Sequence, residues 1–302
     1  MALGCFKEER TVALRYVKTS IKLILRGQSS YVYARLRRKM KGYFSSSDRG
    51  YQGSMLSVVE TTQRTSELRK NFQSKNRRAM VLHLFYPEIL SEILHQDIFI
   101  GESFDFYITI PSQVSPLFFE QLKQHQLNAY VTIVENKGRD VLPFLQILPL
   151  LMGKYEWVCK LHSKKSLHSV EGKIWRQEVF AALLRSRVLD ILDKASQDVG
   201  IFAPPDSLLP LDLFLGSNEG NMKIILQRLR YSDLKVTDYQ FVAGTMFWFR
   251  PQALIFLSNR ISELIPLFTE EQSAIDGLMP HAFERIFSLV AEQNNFQSRE
   301  LK

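Results

Sequence analysis

Cysteine is nearly absent from this 302-residue chain: Cys5 and Cys159 stand alone, with no CxxC pair and no Cys/His cluster at zinc-ligand spacing. A disulfide framework and a structural zinc are thereby excluded, and a reducing compartment is the simplest setting. Long hydrophobic runs are missing too. The longest, residues 141–152, falls short of the roughly 18–20 apolar residues of a spanning helix, and charges interrupt every apolar stretch before residue 40. Neither a membrane span nor a signal peptide is expected, and the expected location is the cytoplasm. The P-loop GxxxxGK[ST], the dinucleotide GxGxxG, the G-x-S-x-G elbow and HExxH are all absent, which removes the kinases and hydrolases that depend on them. Acidic residues are scarce in one place. Residues 1–50 hold 12 Lys/Arg against 3 Asp/Glu, a surplus larger than the chain's total of +8, so the remainder is close to neutral. An enzyme acting on nucleic acid spreads its basic residues along the binding cleft, so no nucleic-acid partner is expected.

At 45% apolar and 12% aromatic residues, the chain can bury the core of an α/β domain and still carry an extension. Between Arg10 and Arg26, Leu14, Val17, Ile21 and Ile24 fall at helical spacing, with Arg15, Lys18, Lys22 and Arg26 one step round. This amphipathic basic helix fits an anionic membrane surface and, equally, a place on the protein's own body. A second basic run, Arg35 to Lys41, favours the membrane, contacted through residues 1–45. Residues 45–55 read as a linker and the polar stretch to Arg78 as helical, giving a basic extension over 1–78 and a catalytic domain over 79–302. From there strand-like and helix-like stretches alternate. Strands are expected at 80–86, 104–110, 129–134, 157–161, 199–203 and 241–249, with helices from Pro87 and at 116–126, 141–152 and 175–184. Such alternation predicts an α/β fold, a doubly wound and mostly parallel sheet with right-handed crossovers.

Ligands bind beyond the carboxyl ends of such strands, so the residues following each strand are where chemistry is sought. The first strand leads to His83 and Tyr86. The third leads to Asn136-Lys137-Gly138-Arg139-Asp140, whose Asp140 is placed to cap the next helix and whose Arg139 suits either a phosphate or a carboxylate. The fourth carries Lys160, His162, Lys164, Lys165 and His168. So much positive charge after an apolar strand is costly unless an anion arrives, and a diphosphate fits, its charge met by ammonium groups without a metal. No cofactor is expected.

Three motifs in order then carry a resemblance: Glu135 to Phe144, Cys159-Lys160-Leu161-His162-Ser163-Lys164-Lys165-Ser166, and Phe241-Val242-Ala243-Gly244-Thr245-Met246-Phe247-Trp248-Phe249-Arg250-Pro251. Together they resemble the rhamnan synthesis protein F family, over about residues 79–290, leaving residues 1–78 uncovered. The resemblance implies a GT-A-type glycosyltransferase of polysaccharide or O-antigen assembly; the basic extension would hold it peripherally on the inner face of the cytoplasmic membrane. Its donor would be a nucleotide sugar such as dTDP-rhamnose and its acceptor a lipid-linked glycan. In the common form of that fold the fourth strand ends in a metal-holding Asp-x-Asp; here Lys160, His162 and Lys164 stand there, implying a metal-independent variant. Gly244, Thr245 and Trp248 are implied at the acceptor, Trp248 as a stacking face. For an inverting transfer Asp276 is the first choice of base and Glu271 the reserve, with His281, Glu284 and Arg285 in support. Leu215-Gly216-Ser217-Asn218 departs from the family in lacking an aromatic, which bears on the acceptor. A non-catalytic assembly subunit retaining the fold is the alternative.

Overall fold

The computed structural model describes residues 19–29, 31–33, 54–163, 170–231, 234–269 and 276–302. The chain divides into two compact units, residues 1–47 with 166–175, and residues 48–165 with 176–302. In the first, residues 19–25 form helix α1. Its end is a Schellman turn: Gly27 is left-handed at φ 77°, Gln28 N donates to Leu23 O (2.9 Å) and Gly27 N to Ile24 O (3.0 Å). The expected linker at 45–55 lies almost wholly outside the described residues.

The second unit is built on a seven-stranded sheet of order β3-β2-β1-β4-β8-β5-β9. Strands β1 (Arg78–His83), β2 (Asp105–Ile110), β3 (Asn128–Ile133) and β4 (Trp157–His162) are mutually parallel. Strands β1, β2 and β4 are buried almost throughout, as a sheet covered on both faces requires. Between them run helices α3 (Ile89–Leu94), α4 (Pro116–Gln124) and α5 (Val141–Leu151). Ser115 caps α4 and Pro116 occupies its first turn, a pairing legible in the sequence. Helix α6 (Val170–Leu183) begins earlier than expected, and α7 (Arg187–Asp193) leads into β5 (Val199–Ala203), which pairs in parallel with β9 (Gln297–Glu300). The expected α/β class and mostly parallel sheet are found.

Two expectations change. The apolar stretch 241–249 is not one strand. Its first part, β7 (Gln240–Val242), pairs with β6 (Leu208–Pro210) in a separate two-stranded sheet, and its last part, β8 (Phe247–Phe249), inserts antiparallel between β4 and β5. The break is Gly244 at φ 90° and Thr245 at φ 55°, left-handed backbone that no strand accommodates. Second, helix α2 (Val58–Asn71), expected in the extension, belongs to the sheet unit and packs along β3. Ser57 and Glu60 close a reciprocal capping box at its start, and Thr61 and Thr65 face inward. At the amino ends of the strands, fully buried Asp105 accepts from Lys75 N, Asn76 N, Asn76 Nδ2, Asn128 Nδ2 and Tyr155 OH, which ties the incoming chain to that edge. Among the described residues no helix is long and apolar enough to cross a membrane.

Candidate functional site

Chain order along the sheet reverses between β1 and β4: β2 and β3 extend from one side of β1, and β4 lies on the other. Such a switch point opens a crevice at the carboxyl ends of the strands. The last residues of β1 and β4, His83 and His162, are cross-strand partners there. Side chains two apart on a strand share a face, so Lys160 points the same way as His162. Because β8 runs antiparallel beside β4, pairing Phe247 with Lys160, the turn that precedes β8 arrives at this same edge.

That turn closes over the two side chains. Lys160 Nζ donates to Thr245 O (2.9 Å) and to Asp140 Oδ2 (2.6 Å), and Thr245 Oγ1 donates to the same Asp140 oxygen (2.5 Å). His162 Nε2 lies 2.9 Å from Gly244 O, and since a carbonyl only accepts, Nε2 carries the proton. Gly244 N donates to Glu284 Oε1 (2.5 Å). Lys160 is 1% exposed and its ammonium stands 5.2 Å from the Phe144 ring. Burial alone would raise the Asp140 carboxyl, but the Lys160 ammonium, the neighbouring His162 and the hydrogen bonds from Lys160 and Thr245 hold it well below the usual carboxylate range. His83, its Nδ1 2.9 Å from Thr109 Oγ1, is held in its uncharged form. Burial lowers its ring to about 4, with His162 and Lys160 adding to the effect against Asp140, so it is neutral at physiological pH.

A backbone reversal brings Asp140 to this point. Gly138 (φ 66°) and Arg139 (φ 51°) are both left-handed, and a Cβ at Gly138 would collide with Leu142 and Phe268 side chains. The turn sends Asp140 toward β4 and leaves Arg139 exposed, donating from Nη1 to His281 Nε2 (2.6 Å). His281 opens onto a second cluster on helix α9 (Met279–Glu284). Arg285 donates from Nη1 to His281 O (2.6 Å) and from Nε to Phe214 O (2.8 Å), and its Nη2 lies 3.8 Å from Asp276 Oδ1. Asp276 also accepts from Asn218 Nδ2 (2.7 Å) and Ser217 N (3.1 Å). Burial would raise the Asp276 carboxyl; the bonds from Asn218 and Ser217 and the charge of Arg285 outweigh it, and the group is lowered.

The structure therefore joins Asp140, Lys160, His162, Gly244, Thr245 and Glu284 in one network, and Arg139, His281, Arg285 and Asp276 in a second that adjoins it. Several assigned roles are corrected. Asp140 heads helix α5 but makes no side-chain cap; its Oδ2 accepts from both Lys160 and Thr245. Lys160 is not a cation facing solvent, because its ammonium is committed to Asp140 inside the protein. Trp248 is fully buried with Nε1 donating to Leu183 O (2.9 Å), so its ring has no face for a sugar. Gly138 is required by the turn, and Asn136 is simply exposed. Tyr86 lies near the edge, its backbone N donating to Ser163 Oγ (2.8 Å). Lys164, Lys165, His168 and Glu271 lie outside the described residues. Sequence reasoning missed Asn218 and Ser217 as partners of Asp276. Their motif was visible, but a contact between positions 58 residues apart leaves no local signal.

The family model described as rhamnan synthesis protein F matches residues 18–296. The match therefore reaches back through much of the basic extension, which the resemblance at 79–290 left out. Proteins named "Uncharacterized protein WxcX" from two strains of Xanthomonas campestris pv. campestris, B100 and ATCC 33913, are each 36% identical over 217 residues, 70% of this chain. The chain spans about 30% of the length of these relatives.

Proposed function

The chain belongs to the rhamnan synthesis protein F family, and we propose that it is a glycosyltransferase of GT-A type that works without a divalent metal. It moves rhamnose or another deoxysugar from a nucleotide-sugar donor such as dTDP-rhamnose to a lipid-linked glycan of a bacterial surface polysaccharide or O-antigen. The observation that carries this reading is the Lys160–Asp140 pair at the head of the fourth strand. In the common form of the GT-A fold that place holds an Asp-x-Asp and its metal, whereas here the carboxylate is already occupied by a protein ammonium. The antiparallel β8 beside β4, and the reversal between β1 and β4, support the same assignment.

On this reading the donor lies across the crevice with its diphosphate at the β4 edge. Lys160 is balanced by Asp140, so the charge that grows on the departing diphosphate is met by Arg139, His162 and the lysines at 164 and 165. Asp276 stays ionised at neutral pH and takes the proton of the acceptor hydroxyl. That oxygen bonds to the anomeric carbon as the bond from this carbon to the diphosphate breaks on the opposite face, which inverts the centre. Asn218, Ser217 and Arg285 fix the direction of the carboxylate.

The length of the relatives favours one other reading, a non-catalytic module of a larger polysaccharide assembly. Titration calorimetry of the full chain against dTDP, UDP, GDP and dTDP-rhamnose separates the two. A transferase binds at least one of them, and Arg139→Ala weakens that binding about tenfold or more with an unchanged circular dichroism spectrum. A folded chain that binds none of them supports the module instead.

A further inference from the structure

We propose that helix α1 is a docking surface for anionic lipid, laid flat on the membrane through Ile21, Ile24 and Leu25. At roughly 100° per residue these three share one side of the helix, and Leu23 lies on the opposite side. The two sides have different fates. Leu23 is buried at 1% exposure and Val32 is buried too, whereas Ile21, Ile24 and Leu25 are 52%, 51% and 80% exposed. A helix with apolar residues on both sides, one side committed and the other facing water, has a surface that burial inside its own unit does not explain.

Charge chooses the occupant. Lys22 and Arg26, one turn apart, border the exposed stripe and are themselves exposed. Tyr33, 67% exposed, adds an aromatic side chain of the kind that settles at headgroup depth. The surrounding sequence carries the basic surplus of the first fifty residues. An apolar stripe edged by cations matches acyl chains beneath anionic headgroups, whereas a protein partner would also have to bring an acidic rim. The Schellman turn at Gly27 fixes where the helix, and with it the stripe, ends. The surface stands independently of the transferase reading, because nothing in it draws on the nucleotide-sugar site.

The test is vesicle flotation of the full chain, with vesicles rich in phosphatidylglycerol compared with vesicles of phosphatidylcholine alone. The wild type is expected to float with the anionic vesicles and to stay in solution with the neutral ones. Ile21→Ser, Ile24→Ser and Leu25→Ser made together, and separately Lys22→Glu with Arg26→Glu, should each lower partitioning about tenfold or more. Both sets change exposed side chains, and circular dichroism verifies the fold. Equal flotation of wild type and both variants, or no flotation of the wild type, overturns the proposal. So does a wild-type dimer, seen by light scattering without lipid, that the triple serine variant dissociates, because the stripe would then be an interface between copies of the chain.

Discussion

Asp140 and Lys160 come from segments 20 residues apart and meet at 2.6 Å, with the lysine almost wholly out of water. Removing two charges from water is expensive, and only their mutual attraction, aided here by Thr245 Oγ1 and Thr245 O, offsets that cost. Breaking the pair from one side is then far worse than replacing both members. Asp140→Asn should lower the unfolding free energy in urea by about 3–5 kcal/mol, since it leaves a buried ammonium with a carbonyl as its remaining partner. Asp140→Asn combined with Lys160→Met should recover most of that loss. A single variant within about 0.5 kcal/mol of wild type would show that the pair is exposed in solution. Strand alternation puts Lys160 and His162 on one face from sequence alone. It is silent on the partner, because Asp140 arrives only through the left-handed pair Gly138–Arg139, and an arginine at positive φ has no sequence signature.

Three short turns, more than any helix or strand, assemble the candidate site: Gly138–Arg139 before α5, Gly244–Thr245 before β8, and the stretch at 216–218 that holds Asp276. Gly216, at φ 61°, stands so close to Asp276 that an added Cβ would overlap its carboxylate. Gly216→Ala is expected to lower stability by ~1–2 kcal/mol through backbone strain and to slow transfer more than tenfold by displacing Asp276. Gly220, in helix α8 (Glu219–Leu229), is the control. A methyl added there would meet nothing within 4 Å beyond its own stretch of helix, so Gly220→Ala should leave transfer unchanged and stability equal or slightly higher. Similar transfer rates for the two variants would disconnect the cradle from the chemistry. At this scale the strands were legible wherever an apolar run was bounded by polar turns, as at β2 and β5. The run at 241–249 is apolar on both sides of its break, so the hydrophobic pattern carried no mark of the division apart from Gly244 itself.

For the whole molecule, the alternation of strands and helices sufficed to foresee the α/β class and the parallel sheet. Strand order was not foreseeable, since it depends on which edge of β1 receives β4 and on β8 turning back antiparallel. That order gives His83 and His162 adjacent places and brings the turn before β8 to the same end of the sheet. On the proposed reading, the Lys160 ammonium, paired with Asp140 at the mouth of β4, takes the place that a metal ion has in the common form of the GT-A fold. The most direct measurement is turnover of the full chain with a panel of nucleotide sugars, dTDP-rhamnose among them, and a lipid-linked glycan acceptor in excess chelator. The account predicts acceptor-dependent release of nucleoside diphosphate at the same rate with and without chelator, reduced about a hundredfold or more in Asp276→Asn. Turnover that ceases in chelator and returns only with Mn²⁺ or Mg²⁺ would contradict it.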